Sequence, residues 1–214
     1  MEELTEQLDN LKIIDKFSAG EKARKIWSKK INDEHLFCKI EDFNKECENN
    51  FIELALIELD KSTKRQSTLL AKYKDKNLWK EEREHIYIIT RNDYILKIGG
   101  TREGMAKRWS SYGCGYYVSQ RKNKKGVPYP GKMSVTNAYV YHTIEEDLLI
   151  NKNVWKIYTW PIPKVKLEIE ILGIKKEVLA QTFHAYESCC IKKFKELNNK
   201  IPMLCNNCDP NYFR

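Results

Sequence analysis

The chain has 214 residues, with 38 Lys and Arg against 30 Asp and Glu and a formal net charge of +8. That length supports a core without disulfide staples, either as one domain with an appendage or as two small domains. No run of about 20 apolar residues is present and the start is acidic rather than basic and apolar, so neither a membrane span nor a signal peptide is expected; an odd count of seven cysteines fits free thiols in a reducing cytoplasm.

Leu4, Leu8, Leu11 and Ile14 recur at spacings of four, three and three, which predicts an amphipathic helix over residues 3 to 17. Ser18 is placed to cap a second helix running through Ala23 to Ile31, with Ile26 and Trp27 inward. A third, short helix is expected around Leu36, Phe37, Ile40 and Phe43. The stretch FIELALIELD after Asn50 puts Ile52, Ala55, Leu56 and Leu59 on one helical side. The charged residues 61 to 80 read as a helical continuation. Residues 1 to 83 are therefore expected to form an N-terminal helical region without metal, nucleotide or nucleophile motifs. Residues 1 to 84 carry 17 Lys and Arg against 19 Asp and Glu, a net of −2, so they are not expected to be the main phosphate-binding surface. A scaffold role and a recognition or dimerisation role both remain open for them.

The character changes at residue 85. His85 to Thr90 and Tyr94 to Ile98 are rich in β-branched and aromatic residues, and Arg91-Asn92-Asp93 between them is turn-prone, which predicts a β-hairpin. Gly99-Gly100 is expected to end the second strand. Thr101 is placed to cap a helix to about Ser111, and Gly113 to end it. Arg108 and Tyr112, four apart, share a face of that helix and point back at the hairpin.

Residues 113 to 132 read as a basic, exposed insertion with Gly, Pro and tyrosines. Residues 101 to 132 hold eight basic residues and one acidic, a net of +7, which points to a polyanion, most simply nucleic acid. Arg121, Lys122, Lys124 and Lys125 suit phosphates, and Asn123 and the arginine also suit base edges. Residues 133 to 150 are expected to be helical, Trp155 to Trp160 a strand closed by Pro161, and Val165 to Leu172 a strand with Lys166, Glu168 and Glu170 outward. A long helix is expected from about Lys175 to Asn198. Cys205 and Cys208 have metal-ligand spacing but supply two ligands where structural zinc takes four.

The succession HIY, KIG and RWSSY resembles the GIY-YIG nucleases, over about residues 84 to 208. Tyr87 matches the tyrosine of the first motif, Lys97-Ile98-Gly99 the second motif, and Arg108 and Tyr112 the arginine and tyrosine of the family helix. His85 stands where the first glycine is usual and Lys97 where the second tyrosine is usual, the latter as in some restriction-endonuclease branches. The long helix resembles the family's late helix, in which Glu187 matches the acidic metal ligand; Glu177 lies in the first turn and Glu196 too near the end. Pro202 matches the following proline, and Asn206 or Asn207 the asparagine, one residue later than expected.

The resemblance implies an α/β fold, a small antiparallel sheet flanked by helices, forming a nuclease domain over residues 84 to 214. It implies hydrolysis of double-stranded DNA with one Mg²⁺ or Mn²⁺ held by Glu187. Arg108 would bind the scissile phosphate, Tyr87 would orient the attacking water and take its proton, and Tyr112 would bond phosphate or water. An ammonium at Lys97 would favour the Tyr87 phenolate. A stand-alone chain of this kind resembles a type II restriction endonuclease acting as a homodimer on a palindromic site. A homing or other mobile-element nuclease and a catalytically silent DNA-binding module are the alternatives.

Overall fold

The computed structural model describes residues 21–62, 68–113 and 134–205. Their elements are α1 (Glu21–Trp27), α2 (Ile40–Glu46), β1 (Ile52–Leu59), β2 (Leu69–Tyr73), α3 (Lys76–Lys80), β3 (His85–Arg91), β4 (Tyr94–Thr101), α4 (Met105–Gly113), α5 (Val135–Ile150), β5 (Trp155–Pro161), β6 (Val165–Ile171), β7 (Ile174–Ala180) and α6 (Phe183–Asn198). Short 3₁₀ turns lie at Asp33–His35 and Met203–Cys205. Five strands form one sheet in the order β2-β1-β5-β3-β4, and β6 and β7 pair as a separate hairpin. Every pairing is antiparallel. The α/β class expected from the sequence, a small antiparallel sheet flanked by helices, is the class observed. No described helix is long and apolar enough to cross a membrane.

Strand β3 is the hub. It pairs with β4 on one side and β5 on the other, and its alternate residues enter two different cores. Ile86 and Ile88 pack with Phe43 of α2 and with Phe183 and Phe194 of α6. Tyr87 and Ile89 pack with Met105 and Tyr112 of α4 and with Tyr141 and Ile144 of α5. The turn into β4 is made by Asn92 and Asp93, both left-handed at φ 48° and 66°. That is the two-residue turn whose twist matches paired strands, and Asn and Asp tolerate its backbone well.

Several expected elements are corrected. FIELALIELD is not a helix but β1, and residues 61–80 supply β2 and the short α3. Leu, Ala and Glu favour a helix locally, but here both edges of the segment are paired, to β2 through Ile57↔Ala71 and to β5 through Ile57↔Trp155. The sheet therefore runs across residue 84. The helix expected to reach Ile31 ends at Trp27, and Leu36 and Phe37 precede α2 rather than belonging to it. Gly99 and Gly100 do not end β4, because they pair with Tyr87 and Ile86 and the strand runs on to Thr101. The helix expected from Lys175 begins at Phe183, since residues 174–180 fold back on β6. Leu172 and Gly173, at φ 53° and 76°, make that second two-residue turn. The helix over residues 3 to 17 lies outside the described residues.

His85 opens β3 with no exposed surface. Burial pushes its imidazole down to about 4, with Arg83 acting in the same direction and Glu81 against it. The neutral ring shares a 3.0 Å hydrogen bond with the Thr159 hydroxyl. A group depressed in the fold binds more protons when unfolded, so its contribution is complete above about pH 6.5 and is lost as pH falls towards 4. Chemical denaturation at pH 7 and pH 4.5 is expected to show a loss from this group of about 2–3 kcal/mol. In His85→Gln that part of the pH dependence should vanish, and an unchanged slope would show that the ring is not held neutral.

Candidate active site

Tyr87 sits mid-strand, fully buried, directly opposite Gly99. A Cβ on Gly99 would lie 2.5 Å from the Tyr87 Cζ and closer still to its oxygen. The glycine of the second motif is thus the space that the phenol of the first motif fills. From α4, Arg108 and Tyr112 close on the same oxygen. The Tyr87 and Tyr112 hydroxyls are 2.5 Å apart. Arg108 donates from Nε to the Tyr87 oxygen at 2.8 Å and from Nη2 to the Tyr112 oxygen at 3.1 Å. The guanidinium also lies over the Tyr112 ring, 4.5 Å from its centroid.

The electrostatics follow from this packing. Burial holds the Tyr87 phenol well above its ordinary range, against the pull of the Arg108 cation. Burial also works against the charge of Arg108, but Tyr112 and Tyr87 outweigh it, so the guanidinium stays protonated. Lys97 of β4 is 6% exposed. Burial opposes its charge, yet Cys205, Tyr112 and Glu187 raise it above the usual ammonium range. Cys205 is itself kept a thiol by burial. The Cys205 sulfur is occupied by the free edge of β4, accepting from the Ile98 amide at 3.2 Å and donating to the Ile98 carbonyl at 3.1 Å.

Glu187 comes from the other face of the sheet. It is half-buried on α6, and the two helices reach one place because β4 is the edge strand. Gly100 lets α6 approach: a Cβ there would be 2.6 Å from the Phe183 ring and 2.9 Å from the Glu187 carboxylate. A cavity of about 470 Å³ results, with Arg108 and Lys97 on one wall and Glu187 on the other. Lys107, Ser111, Asn137 and His184 also line it. Sequence reasoning did not assign these four, although His184 precedes Glu187 by three residues and so shares its helix face.

Among the described residues no group of three or more His, Cys, Asp or Glu is arranged to hold a metal ion. A single carboxylate on an open cavity nevertheless fits a hydrated Mg²⁺, which keeps several waters and takes one or two carboxylates. Lys97, Arg108 and Glu187 thus meet around one cavity, while Tyr87 and Tyr112, up to 100 positions from Glu187, are buried behind Arg108 and reach it through their hydrogen bonds. Arg121, Lys122, Asn123, Lys124, Lys125, Asn206 and Cys208 lie outside the described residues.

Among solved structures, the chain is similar to the restriction endonuclease HPY188I in complex with product DNA, at TM-score 0.52 and 23% identity over 86% of this chain and 95% of that one. The chain shares that fold. Residues 84–214 are only 131 of the 214, so a match over 86% of the chain extends into the N-terminal part as well. A mutant of bacteriophage T4 EndoII also matches, at TM-score 0.43 and 19% identity over 74% of this chain and 96% of that one. No family model and no curated protein matches the chain.

Proposed function

We propose that the chain is a GIY-YIG-type DNA endonuclease, a type II restriction enzyme that hydrolyses double-stranded DNA with one divalent cation. The observation that carries this is that Lys97 and Arg108, the latter held by the buried Tyr87 and Tyr112, face Glu187 across a single cavity. The fold shared with a restriction endonuclease supports it.

In this reading Glu187 holds Mg²⁺ or Mn²⁺. The bound cation supplies electrophilic stabilisation of the phosphorane charge and of the leaving 3′ oxygen. Arg108 binds the scissile phosphate from the opposite wall, as a planar donor with Nη1 to spare beyond its two tyrosines. Tyr87 and Tyr112 accept from Arg108 and so hold the guanidinium that meets the phosphate; the proton that the attacking water loses passes to solvent through the open cavity. Lys97 places a second buried positive charge where a phosphate or hydroxide would sit. Arg121, Lys122, Asn123, Lys124, Lys125 and Asn206 are the further DNA contacts of this reading. Cutting both strands with so small a site is simplest for a cytoplasmic homodimer on a palindrome; sedimentation of one protomer per duplex would contradict that arrangement.

The test is incubation of a supercoiled plasmid with and without Mg²⁺. Discrete fragments that require the cation are the expected result. A gel shift without cutting would replace this reading with a silent DNA-binding module.

A further inference from the structure

Glu187 stands on the divide between two cavities. The one described above opens towards Arg108; a second, of about 740 Å³, runs along the outer face of α6 and takes in Glu187, Ile191, Lys192, Lys195 and Ile201. Ile191 and Lys195 follow Glu187 at offsets of four and eight, so they continue its face, and Lys192 flanks them. At a rise of 1.5 Å per residue the two lysines lie about 7.5 Å and about 12 Å along the helix from the carboxylate. Both are exposed. Lys193 between them is turned aside into a 2.8 Å ion pair with Glu46. Lys192 is only loosely held, 3.9 Å from Glu196, and Lys195 makes no ion pair among the described residues.

The lining thus combines apolar wall and exposed cation. A sugar–phosphate backbone is complementary to it: deoxyribose suits Ile191 and Ile201, and phosphates suit the lysines. Lysines near a helix C-terminus also offset the helix dipole, but that gain is confined to the last turn. It accounts for Lys195 and not for Lys192, a turn earlier.

We propose that this groove on α6 carries the scissile DNA strand on one side of the cut, with Lys192 and Lys195 each meeting a phosphate beyond the one at Glu187. The inference rests on the endonuclease reading and adds an interface on the opposite side of Glu187 from Arg108.

The experiment measures binding of a mixed-sequence 30-base-pair duplex in EDTA, as a function of salt, for the wild type and two double variants. One is Lys192→Ala with Lys195→Ala. The control is Lys72→Ala with Lys74→Ala, the loss of two lysines on and just after β2, at the far end of the sheet from β4, where they pair with Glu58 and Glu53. All four side chains are exposed, so both variants should fold, which circular dichroism checks. The α6 variant is expected to flatten the log–log salt slope by about 1.8, from roughly 0.9 per lost phosphate contact, while the control keeps the wild-type slope. A wild-type slope in the α6 variant, or an equal drop in the control, overturns this inference alone. A wild type that binds no duplex at any salt overturns the endonuclease reading as well.

Discussion

Glu187→Gln is expected to abolish strand cleavage and to leave DNA binding intact. The substitution keeps the shape that fits against Gly100 and Phe183, where the carboxylate already lies within 2.9 Å of a Cβ position. What it removes is the anionic charge that a hard cation needs, and no described carboxylate is grouped with it to take over. Cleavage should fall by three orders of magnitude or more, corresponding to the several kcal/mol, about 4 here, that a cation contributes to a phosphoryl transition state. Binding should hold or tighten, because one negative charge leaves a cavity walled by Lys97, Arg102, Lys107 and Arg108. Cleavage titrated against Mg²⁺, with binding measured in parallel, reads both. Full activity in this variant would remove the metal assignment; loss of binding together with cleavage would point to a folding defect instead.

The parts of the molecule legible in the sequence are those whose determinants are local. The β3–β4 hairpin shows because β-branched and aromatic residues are concentrated on both sides of an Asn-Asp turn. Arg108 and Tyr112 are legible because four residues return a helix to the same face, and the whole cluster from Tyr87 to Tyr112 fits within 26 positions. Glu187 lies 75 positions further on, and its likeness to a family helix, with Glu177 set in an expected first turn and Glu196 near the helix end, is what singles it out. Strand β1 was unreadable for a different reason. Leu54, Ala55 and Leu56 are good helix formers, and the partner that makes them a strand, β5, is 100 residues away. β7 was missed because Lys175-Lys176-Glu177 reads as a first helical turn. Its hairpin turn places Leu172, not Asn, at positive φ. Burial depth was the other hidden quantity. The sequence puts Lys97 near Tyr87, but it does not show that Arg108 takes the phenol oxygen.

That last difference changes what Lys97→Met should do. The sequence alone suggests that an ammonium at position 97 makes the Tyr87 phenolate accessible, so that cleavage lost in Lys97→Met returns as pH approaches 10. In the folded chain the phenol is buried and held well above its ordinary range, and the cation on it is Arg108. Removing Lys97 leaves that environment in place, and each unit of upward shift costs a factor of ten in phenolate at a given pH. The upper limit also closes. A phenol raised in the fold contributes stability that is present below about pH 10 and lost as pH rises further, so the protein weakens where phenolate would form. Lys97→Met is therefore expected to lower cleavage by about two to three orders of magnitude, the range for one preorganised electrostatic donor, with a profile that stays low and flat from pH 7 to 10. Met preserves the stem and volume of a side chain 6% exposed, so the fold should survive. Pairing it with Tyr87→Phe decides how the lysine acts. If Lys97 stabilises charge on the phosphate independently of the phenol, the two losses multiply; if it works only through Tyr87, the double variant is no slower than Tyr87→Phe. A Lys97→Met profile that climbs towards pH 10 would restore the proton-transfer role and show that Tyr87 titrates within reach.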